Sequence, residues 1–485
     1  PHEIIFVDNG STDGTVRWLN KLIRENPNYR LIHNQKNLGF AKGCNQGISG
    51  ASGEFILLLN NDVTVTKDWL SGLLECLNSS SGTGIIGPMT NNISGIQKVT
   101  KVGYDRMSGL AHYAAEYRNN HRHVRIPLRR IVGFCMLFRR SLVDRIGLLD
   151  ESFGTGNFED DDYCLRAELE GFQNLIAGDV FIYHFGSRSF IGNKINYKQT
   201  MKGNRELFNR KWTALDIESD MGKKGLALKA LDRSRESYEG GSLQKAVDLL
   251  LEGMKFAPAD KRLYHALAGY LIESKRYQDA VDALMELPDK EDPTGAVLRG
   301  HGLEALGRLD EAWSDAEFAL RTEPGIAAAL NLKGTISFHR DNKEEARHYF
   351  EESIKRDPGF GEPWTNLGVI LWSERFHAEA LEKLEKGFQL SPCKQDNANL
   401  YYAAIGQAEQ FERAERVIQE ARSIYAQNRM LAFLHIDVLL KQEKYTAAMR
   451  EVERCLLQVG LDDELLAAAS AIREKIGSKV ISSQK

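Results

Sequence analysis

The densest group of potentially reactive side chains in the sequence is an acidic run, Glu159 to Asp162, within NFEDDDYCLR. A carboxylate can accept a proton from a hydroxyl group, and adjacent carboxylates disfavour one another's ionisation, which suits a base that works near neutral pH. The run also has a purely structural interpretation as the first turn of a helix with Asn157 as its N-cap. Asp162 and Arg166 would then form an ion pair four residues apart. The two interpretations are compatible.

The elements around this run, up to about residue 215, alternate between strand-like and helix-like segments. Such alternation predicts a parallel, doubly wound sheet, and the nearly continuous apolar run GEFILLLNND predicts a strand buried on both faces. The alternating segments are EIIFVD (3–8), TVRWLNKLIREN (15–26), YRLIHN (29–34), AKGCNQGISGA (41–51) and GEFILLLNND (53–62).

Polar clusters follow these predicted strands. DNGSTDGT at 8–15, NQKNLGFAKG at 34–43 and NND at 60–62 each lie at or just beyond a strand's carboxyl end. Ligands of doubly wound sheets bind beyond those ends, so these clusters are candidates for a binding site. Each cluster is also compatible with an ordinary turn, because Asn, Asp and Gly are common there.

Length and composition limit the possible classes of protein. The 485 residues exceed what one core accommodates, which predicts about two to four domains. The net charge of -4 gives no sign of a nucleic-acid partner. The six cysteines are scattered without a CxxC pair, which favours a reducing, cytoplasmic location over a zinc site or disulfide framework. No apolar run reaches the roughly 18 residues of a transmembrane helix.

From about residue 226 the sequence repeats. An alanine recurs in similar contexts at intervals of 32 or 34 residues, at Ala246, Ala280, Ala312, Ala346, Ala380, Ala414 and Ala448. Prolines at 258, 324, 358 and 392 each follow one of these alanines by twelve residues. The period and the W-x2-LG-x2-L spacing that begins at Trp364 resemble tetratricopeptide repeats. The small alanine lets two antiparallel helices approach closely, and the proline ends the second helix.

A repeat array of this kind presents a concave surface that suits a peptide or a protein partner. The alternative is a spacer or a dimerisation arm. We expect seven repeats and a capping helix over residues 226–478, after a linker at 216–225 and before a tail at 479–485.

Five motifs of the first 210 residues occur in the order found in family 2 glycosyltransferases of the GT-A fold. They are DNGSTDGT, NLGFAKGCNQG, LLLNNDVTV, VGFCMLFRRSLVDRIGLLDESF with FEDDDYCLRAELEGF, and IYHFGSRSF. The chain resembles that family and, within it, the rhamnosyltransferase-like bacterial branch. The resemblance implies an α/β GT-A (Rossmann-like) nucleotide-sugar domain over residues 1–215, followed by the all-α tetratricopeptide solenoid.

The resemblance also implies a donor site for a nucleotide-diphosphate sugar of the UDP or dTDP type. Asp62 and His184 would bind a divalent cation, Mn²⁺ or Mg²⁺, as oxygen-rich sites do. Asn60 stands where the family usually carries the first Asp of its DxD signature, and an amide there still offers an acceptor to a ribose hydroxyl. The implied nucleotide-binding residues are Asp8, Asn37, Gly39, Lys42, Asn45, Asn60 and Asn61. His184 could instead be a packed histidine, and Lys42 a surface lysine.

In the family, the residues matched by Glu159 and Asp160 carry the catalytic base. Asp160 would accept the proton of the attacking acceptor hydroxyl, while Glu159 and Asp162 would hold the geometry. One base without a second matching carboxylate favours inversion by direct displacement, by analogy with one-step hydrolases. Gly133 and Phe134 would shape the acceptor pocket. The acceptor could be a saccharide or a polypeptide.

Two functions remain open at this point. The first is an inverting, metal-dependent hexosyl- or deoxyhexosyltransferase whose repeats recruit a protein acceptor or partner. The second is a non-catalytic scaffold in which a degenerate sugar-nucleotide domain is carried by a binding array. The family's domain begins with one more strand and helix than this sequence contains, so the resemblance also implies unpaired sheet edges.

Overall fold

The computed structural model divides into two compact units, residues 1–225 and 226–485. It describes residues 2–99, 102–186, 197–213, 216, 219–239, 242–459 and 463–483. The end of the last predicted motif (187–190), two residues of the predicted linker (217 and 218) and the last two of the predicted tail (484 and 485) lie outside the described residues.

The first unit is an α/β fold. Its strands are β1 (Ile4–Asp8), β2 (Tyr29–His33), β3 (Phe55–Leu59), β4 (Val63–Thr64), β5 (Thr83–Thr90), β6 (Arg125–Pro127), β7 (Cys135–Arg139) and β8 (Gln173–His184). Its helices are α1 (Thr15–Glu25), α2 (Phe40–Gly50), α3 (Trp69–Leu77), α4 (Leu110–Asn120), α5 (Arg140–Ile146), α6 (Glu159–Leu169) and α7 (Tyr197–Thr213), and α8 (Asp220–Glu239) contains the boundary between the units. Short 3₁₀ turns lie at Met107–Gly109 and Glu151–Phe153.

The main sheet is mixed, so the prediction of a parallel sheet is wrong for it. Its strand order is β3-β7-β5-β8-β4, with β6 paired to β8. Only β5 and β8 run parallel; the other neighbouring strands described in this sheet are antiparallel. The antiparallel pairs of this sheet join segments that are distant in sequence, and strand–helix alternation along the chain does not reveal such pairs.

Strands β1 and β2 form a separate, parallel pair. Within the described ranges, β3 pairs with β7 on one side and has no strand on the other. The prediction that β3 is buried on both faces is confirmed only in part: Ile56 and Leu58 are buried on one face, whereas Phe55 and Leu57 on the other are partly buried against the core and Leu59 is 41% exposed. An edge strand with one fully buried and one partly buried face accounts for this pattern.

The acidic run does begin a helix, as predicted. Helix α6 starts at Glu159 and ends at Leu169, shortly before Gly171, whose φ is 89°. Arg166 Nε donates to Asp162 Oδ2 over 2.9 Å, which confirms the predicted pair. The predicted N-cap, Asn157, is wrong, because the cap position is Phe158 and both residues have left-handed backbones.

The second unit is a stack of helices. They are Leu243–Phe256, Lys261–Glu273, Tyr277–Met285, Pro293–Ala305, Leu309–Thr322, Ala327–His339, Lys343–Arg356, Gly361–Ser373, His377–Leu390, Gln395–Ala408, Phe411–Ile424, Arg429–Lys441, Tyr445–Val459 and Asp463–Ser483. All seven recurring alanines are at most 1% exposed. This burial agrees with their expected place between closely packed helices. Across the described parts of both units, no helix combines the length and apolar character needed to cross a membrane.

We expect replacement by alanine to have opposite effects on stability at two helical glycines of this unit, Gly387 and Gly406. A Cβ on Gly387 would lie 2.1 Å from Thr365 Oγ1 and 3.0 Å from the Gly361 carbonyl oxygen, whereas one on Gly406 would meet nothing within 4 Å. We expect Gly387→Ala to destabilise the unit by about 1–3 kcal/mol through overpacking. Gly406→Ala should stabilise it by about 0.5–1 kcal/mol through helix propensity. Urea unfolding followed by circular dichroism measures both, and equal shifts of the same sign would contradict the described packing.

Candidate active site

One short loop before β7 brings together residues that the sequence analysis placed in separate motifs. The backbone N–H of Gly133 donates to Asp160 Oδ2 over 2.9 Å. The ring of Phe134 stacks on His184 with centroids 4.9 Å apart, and its carbonyl oxygen accepts the Asn60 N–H over 2.9 Å. The candidate base, the candidate metal ligand and the NND turn therefore all contact residue 133 or 134.

Phe134 itself does not line an open pocket. Its side chain is 2% exposed and belongs to the core beneath the sheet. This geometry favours a supporting role for Phe134 over the predicted role in shaping an acceptor pocket. Gly133 lies beside the Asp160 carboxylate, because a Cβ there would lie 3.6 Å from Asp160 Oδ2 and 3.6 Å from Phe40.

Asp62 and His184 lie side by side, as a shared ligand would require. His184 Nε2 is 3.3 Å from Asp62 Oδ1, and its Nδ1 lies 2.9 Å from the Asn92 carbonyl oxygen. Because a carbonyl can only accept, Nδ1 carries a proton, and Nε2 faces Asp62, to which it donates when the ring is protonated. Burial lowers the pKa of His184, but the hydrogen bonds to Asp62 and Asn92 raise it by more, so the net direction is upward.

This pair fits two ligands of a divalent cation but not a complete protein cage. In the described portion of the chain, no group of three His, Cys, Asp or Glu side chains is arranged to hold a metal. Mg²⁺ typically takes one or two protein ligands and completes its shell with phosphate oxygens and water. A nucleotide diphosphate would have to supply the remaining ligands here.

Asp8 is buried at the carboxyl end of β1. Its Oδ2 accepts the N–H groups of Gly10 and Ser11, each over 3.2 Å, and lies 2.9 Å from His33 Nδ1. Burial raises the pKa of Asp8, but the hydrogen bonds from Ser11, His33 and Gly10 lower it below its usual value. Asp8 is therefore a buried, ionised acceptor at the carboxyl end of its strand.

The predicted nucleotide loop contacts the residue that follows Asp8. Asn37 Oδ1 accepts the Gly39 N–H over 2.9 Å, and Asn9 Nδ2 donates to the Gly39 carbonyl over 2.9 Å. Lys42 is half exposed, with its Nζ 3.6 Å from Glu151 Oε2. The ammonium group of Lys42 therefore remains accessible to an anion.

Gly39 joins this loop to the segment that precedes the acidic helix. Its φ is 96°, and a Cβ on it would lie 2.1 Å from the Gly154 carbonyl oxygen. Gly39 is one of the nucleotide-binding residues that the resemblance implies. In the structure it closely approaches the protein's own backbone.

Asn45 differs from its predicted role. It is buried, its Nδ2 donates to the Leu149 carbonyl over 2.9 Å and to Glu151 Oε1 over 3.0 Å, and its Oδ1 accepts the Leu149 N–H over 3.0 Å. A side-chain amide engaged in this way favours a tie between α2 and residues 149–151 over nucleotide binding. Asn60 is partly buried and Asn61 is exposed, both at the end of β3.

Arg130 lies beside the acidic run and is not among the candidate site residues predicted from the sequence. Arg130 Nη2 lies 3.9 Å from Asp160 Oδ2, and its Nε lies 3.3 Å from Asp161 Oδ1. The only signal in the sequence is the basic stretch 117–130, which is more often a solvated face. The second oxygen of Asp160 accepts the Asp161 N–H over 3.0 Å.

The four acidic residues have different environments. Burial, together with the charge of Asp160, raises the pKa of Glu159 to about 8. The same two causes raise the pKa of Asp161 to about 7. Asp162 is fully buried and ion-paired with Arg166 and Lys211. Burial therefore favours the neutral, protonated form of Glu159.

The raised pKa of Glu159 predicts a pH-dependent stability. The folded unit holds the Glu159 proton more tightly than the unfolded chain, so this contribution is complete below about pH 4.5 and is lost as pH rises toward 8. The free energy of unfolding should therefore decline with pH less steeply in Glu159→Gln than in wild type, by up to about 1.4 kcal/mol per pH unit. Hydrogen exchange of α6 between pH 5 and 9, on the order of one reading per pH unit, measures it. Parallel pH profiles for variant and wild type would contradict the prediction.

Comparisons with known proteins agree with this division of the chain. Residues 1–147 match the model of glycosyl transferase family 2, and residues 297–359 match a tetratricopeptide repeat model. The acidic run and His184 lie beyond the first match. The chain is 27% identical over 240 residues to the uncharacterized protein y4gI of Sinorhizobium fredii (strain NBRC 101917 / NGR234), covering 47% of this chain and 26% of that protein.

It is also 27% identical over 174 residues to the poly-beta-1,6-N-acetyl-D-glucosamine synthase of Staphylococcus aureus (strain COL), covering 35% of this chain and 40% of that protein. The chain thus spans less than half the length of these curated relatives. Among solved structures, it is similar to TTC0263, a thermophilic TPR protein of Thermus thermophilus, with a TM-score of 0.33 and 19% identity over 37% of this chain and 98% of that one.

A further similarity is to the APC/C hetero-tetramer Cut9–Hcn1, with a TM-score of 0.34 and 14% identity over 57% of this chain and 53% of that one. The two family models match separate units, and the residues gathered by the loop before β7 all lie in the first. The chain therefore combines a glycosyl transferase family 2 domain in its N-terminal unit with tetratricopeptide repeats in its C-terminal unit.

Proposed function

We propose that the N-terminal unit transfers a hexosyl or deoxyhexosyl group from a UDP- or dTDP-linked sugar to an acceptor hydroxyl with inversion. The observation that carries the proposal is that Asp160 and the NND turn are hydrogen-bonded to the loop at residues 133–134, and that His184 stacks on it. A base, a cation-binding pair and a nucleotide-facing turn are the groups that such a transfer needs at one place.

Asp160 is the proposed base. Two backbone N–H groups, from Gly133 and Asp161, fix its carboxylate, and Arg130 places positive charge beside it. A carboxylate held in this way can accept the acceptor hydroxyl's proton without reorganising. Glu159 is an unsuitable nucleophile, because burial and the charge of Asp160 raise its pKa and favour its protonated form. A single proposed base, Asp160, supports one displacement with inversion.

Asp62 and His184 are the proposed protein ligands of Mn²⁺ or Mg²⁺. Their 3.3 Å spacing and the orientation of His184 Nε2 toward Asp62 support this role. When bound, the cation would supply positive charge to the leaving diphosphate. Asp8, Asn37, Gly39, Lys42, Asn60 and Asn61 remain the proposed donor-side residues, and a cytoplasmic location remains part of the proposal.

The repeats are proposed to recruit a polypeptide acceptor or a protein partner. Their helices stack as in other tetratricopeptide arrays, whose concave surface suits such partners. A chain that ends at residue 225, the boundary of the first unit, provides the test. We expect its KM for a polypeptide acceptor to rise at least about tenfold while its KM for a small glycoside stays unchanged. Equal KM values for the polypeptide in both chains would contradict recruitment by the repeats.

A transfer assay tests the enzymatic part. The full chain is incubated with UDP- and dTDP-linked sugars, a glycoside or polypeptide acceptor, and Mn²⁺, Mg²⁺ or EDTA. We expect release of the nucleotide diphosphate, a product of inverted anomeric configuration seen by NMR, and loss of turnover in EDTA. Retention of configuration, or turnover that EDTA leaves intact, would contradict the mechanism.

One observation favours the scaffold alternative. The pair β1–β2, which carries Asp8, has no hydrogen-bonded strand in common with the main sheet among the described residues. A donor pocket divided between two sheets would bind nucleotides weakly if the sheets move against each other. Nucleotide binding therefore separates the two functions.

A further inference from the structure

We propose that helix α7 (Tyr197–Thr213) braces the acidic helix and that Asn204, Lys211 and Trp212 are positioning residues for Asp160. This inference rests on the proposed transferase function. It concerns residues outside the segment matched by the family model, which ends at residue 147. Three sets of contacts carry it.

The first set fixes the loop in front of the acidic helix. Asn204 Nδ2 lies 2.8 Å from the Phe153 carbonyl oxygen, 2.9 Å from that of Gly156 and 3.0 Å from that of Asn157. One amide group thus donates to the converging carbonyls of a five-residue segment. Removing it would leave these acceptors without their shared donor.

The loop needs such support, because its backbone is strained. Asn157 and Phe158 are consecutive non-glycine residues with φ of 80° and 74°. Left-handed conformations of this kind persist only where surrounding contacts over-determine them, and they are frequent at functional sites. The ring of Phe208, one turn after Asn204 on α7, contacts the ring of Phe158 with centroids 5.6 Å apart.

The second set holds the acidic helix itself. Asp162 is fully buried, and its Oδ1 accepts Trp212 Nε1 over 3.0 Å and Lys211 Nζ over 2.7 Å. Its other oxygen accepts Arg166 Nε. Lys211 also donates to Asp150 Oδ2 over 2.6 Å, so one ammonium group joins α7 to the loop at 150 and to α6.

The third set places Asp160, whose hydrogen bond with Gly133 the positioning residues must preserve. Asp160 is separated from Asp162 by one residue on the same helix, and the Gly133 N–H holds its Oδ2 over 2.9 Å. Rotation or translation of the first turn of α6 would move Asp160 relative to the acceptor. A displacement of about 1 Å at a reacting group can cost on the order of 100-fold in rate. The contacts of α7 lie on the strained loop and on Asp162, where they oppose such a displacement.

Lys211→Met and Trp212→Phe test the proposal, because each removes one donor to Asp162 and keeps most of the side-chain volume. We expect each to lower kcat about 10- to 100-fold, with donor KM and UDP affinity changed by less than about threefold. Lys211→Arg should restore most of the rate. The matched control is Lys202→Met, an exposed lysine on the same helix, which should leave kcat within about twofold of wild type.

Hydrogen–deuterium exchange of residues 153–163 is read in the same proteins and needs no catalysis. We expect faster exchange of this segment in Lys211→Met and Trp212→Phe, but not in Lys202→Met. Unchanged kcat in both folded variants would overturn the inference, and so would an equal loss of kcat and UDP affinity. If the wild type transfers no sugar while the variants still loosen residues 153–163, the brace stands as structure and it is the proposed function that fails.

Discussion

Replacement of Asp160 by Asn is expected to lower kcat for sugar transfer by about 10²–10⁴, the usual contribution of a general base. The amide cannot take the acceptor's proton, yet its oxygen can still accept the Gly133 N–H that holds the wild-type carboxylate. Donor affinity should therefore stay close to wild type. Steady-state kinetics and calorimetric binding of the nucleotide measure the two quantities separately.

Asp161→Asn is the matched control for this prediction. Asp161 is the next residue on the same helix and shares Arg130 with Asp160, whereas the Gly133 N–H is directed at Asp160. We expect a change in kcat of less than about tenfold. Equal losses in the two variants would assign the effect to the charge of the run as a whole. An Asp160→Asn enzyme that retains full kcat would remove Asp160 from the mechanism.

Gly39→Ala is expected to destabilise the N-terminal unit by about 3 kcal/mol and to weaken donor binding with it. The added Cβ would lie 2.1 Å from the Gly154 carbonyl oxygen at a φ of 96°. A backbone atom cannot move aside as a flexible side chain would, so the two loops must separate. Urea unfolding of the unit and calorimetric nucleotide binding measure the two consequences.

Gly14→Ala isolates the contact from the backbone conformation. Gly14 has a similar φ of 92°, and a Cβ there would meet nothing within 4 Å. Its substitution should cost only about 1 kcal/mol, the penalty of a left-handed residue with a side chain. Similar losses at both positions would show that the packing of residue 39 against residue 154 contributes little.

The repeat unit was the part most fully predictable from sequence. Its signal is local and repeated: an alanine recurs at a nearly constant interval, and every one of the seven is buried in the helical unit. The acidic helix was similarly predictable in extent, because its polar start, the Asp162–Arg166 pair and the stop near Gly171 are all short-range features.

The errors have a common physical origin in contacts between distant segments. The antiparallel pairing of β3 with β7 joins strands about 80 residues apart, and no local pattern specifies it. Asn157 has the composition of an N-cap, but the loop it belongs to is held in a left-handed conformation by Asn204, 47 residues later. Tertiary contacts therefore overrode the local preference.

The candidate site divides in the same way. Asp62, Asp160 and His184 could be singled out, because motifs of known order mark them, and their catalytic and metal-binding roles stay predictions. The burial of Asn45 and Phe134 within the protein could not be predicted, because whether an amide or a ring faces a ligand or the core depends on partners far along the chain. The partner of Asn45 at Leu149 is 104 residues away. Arg130, Lys211 and Trp212 gave no sequence signal beyond their charge or size.

The central claim is that a donor site for a nucleotide-diphosphate sugar forms on this chain. The most direct test is calorimetric titration of UDP, dTDP and GDP into the chain with and without Mn²⁺, repeated with Asp62→Ala. We predict Mn²⁺-dependent binding of UDP or dTDP that weakens at least about tenfold in Asp62→Ala, because that variant loses one of the two proposed protein ligands. Absence of binding for all three nucleotides in Mn²⁺, with the N-terminal unit folded, would contradict the claim and favour the scaffold.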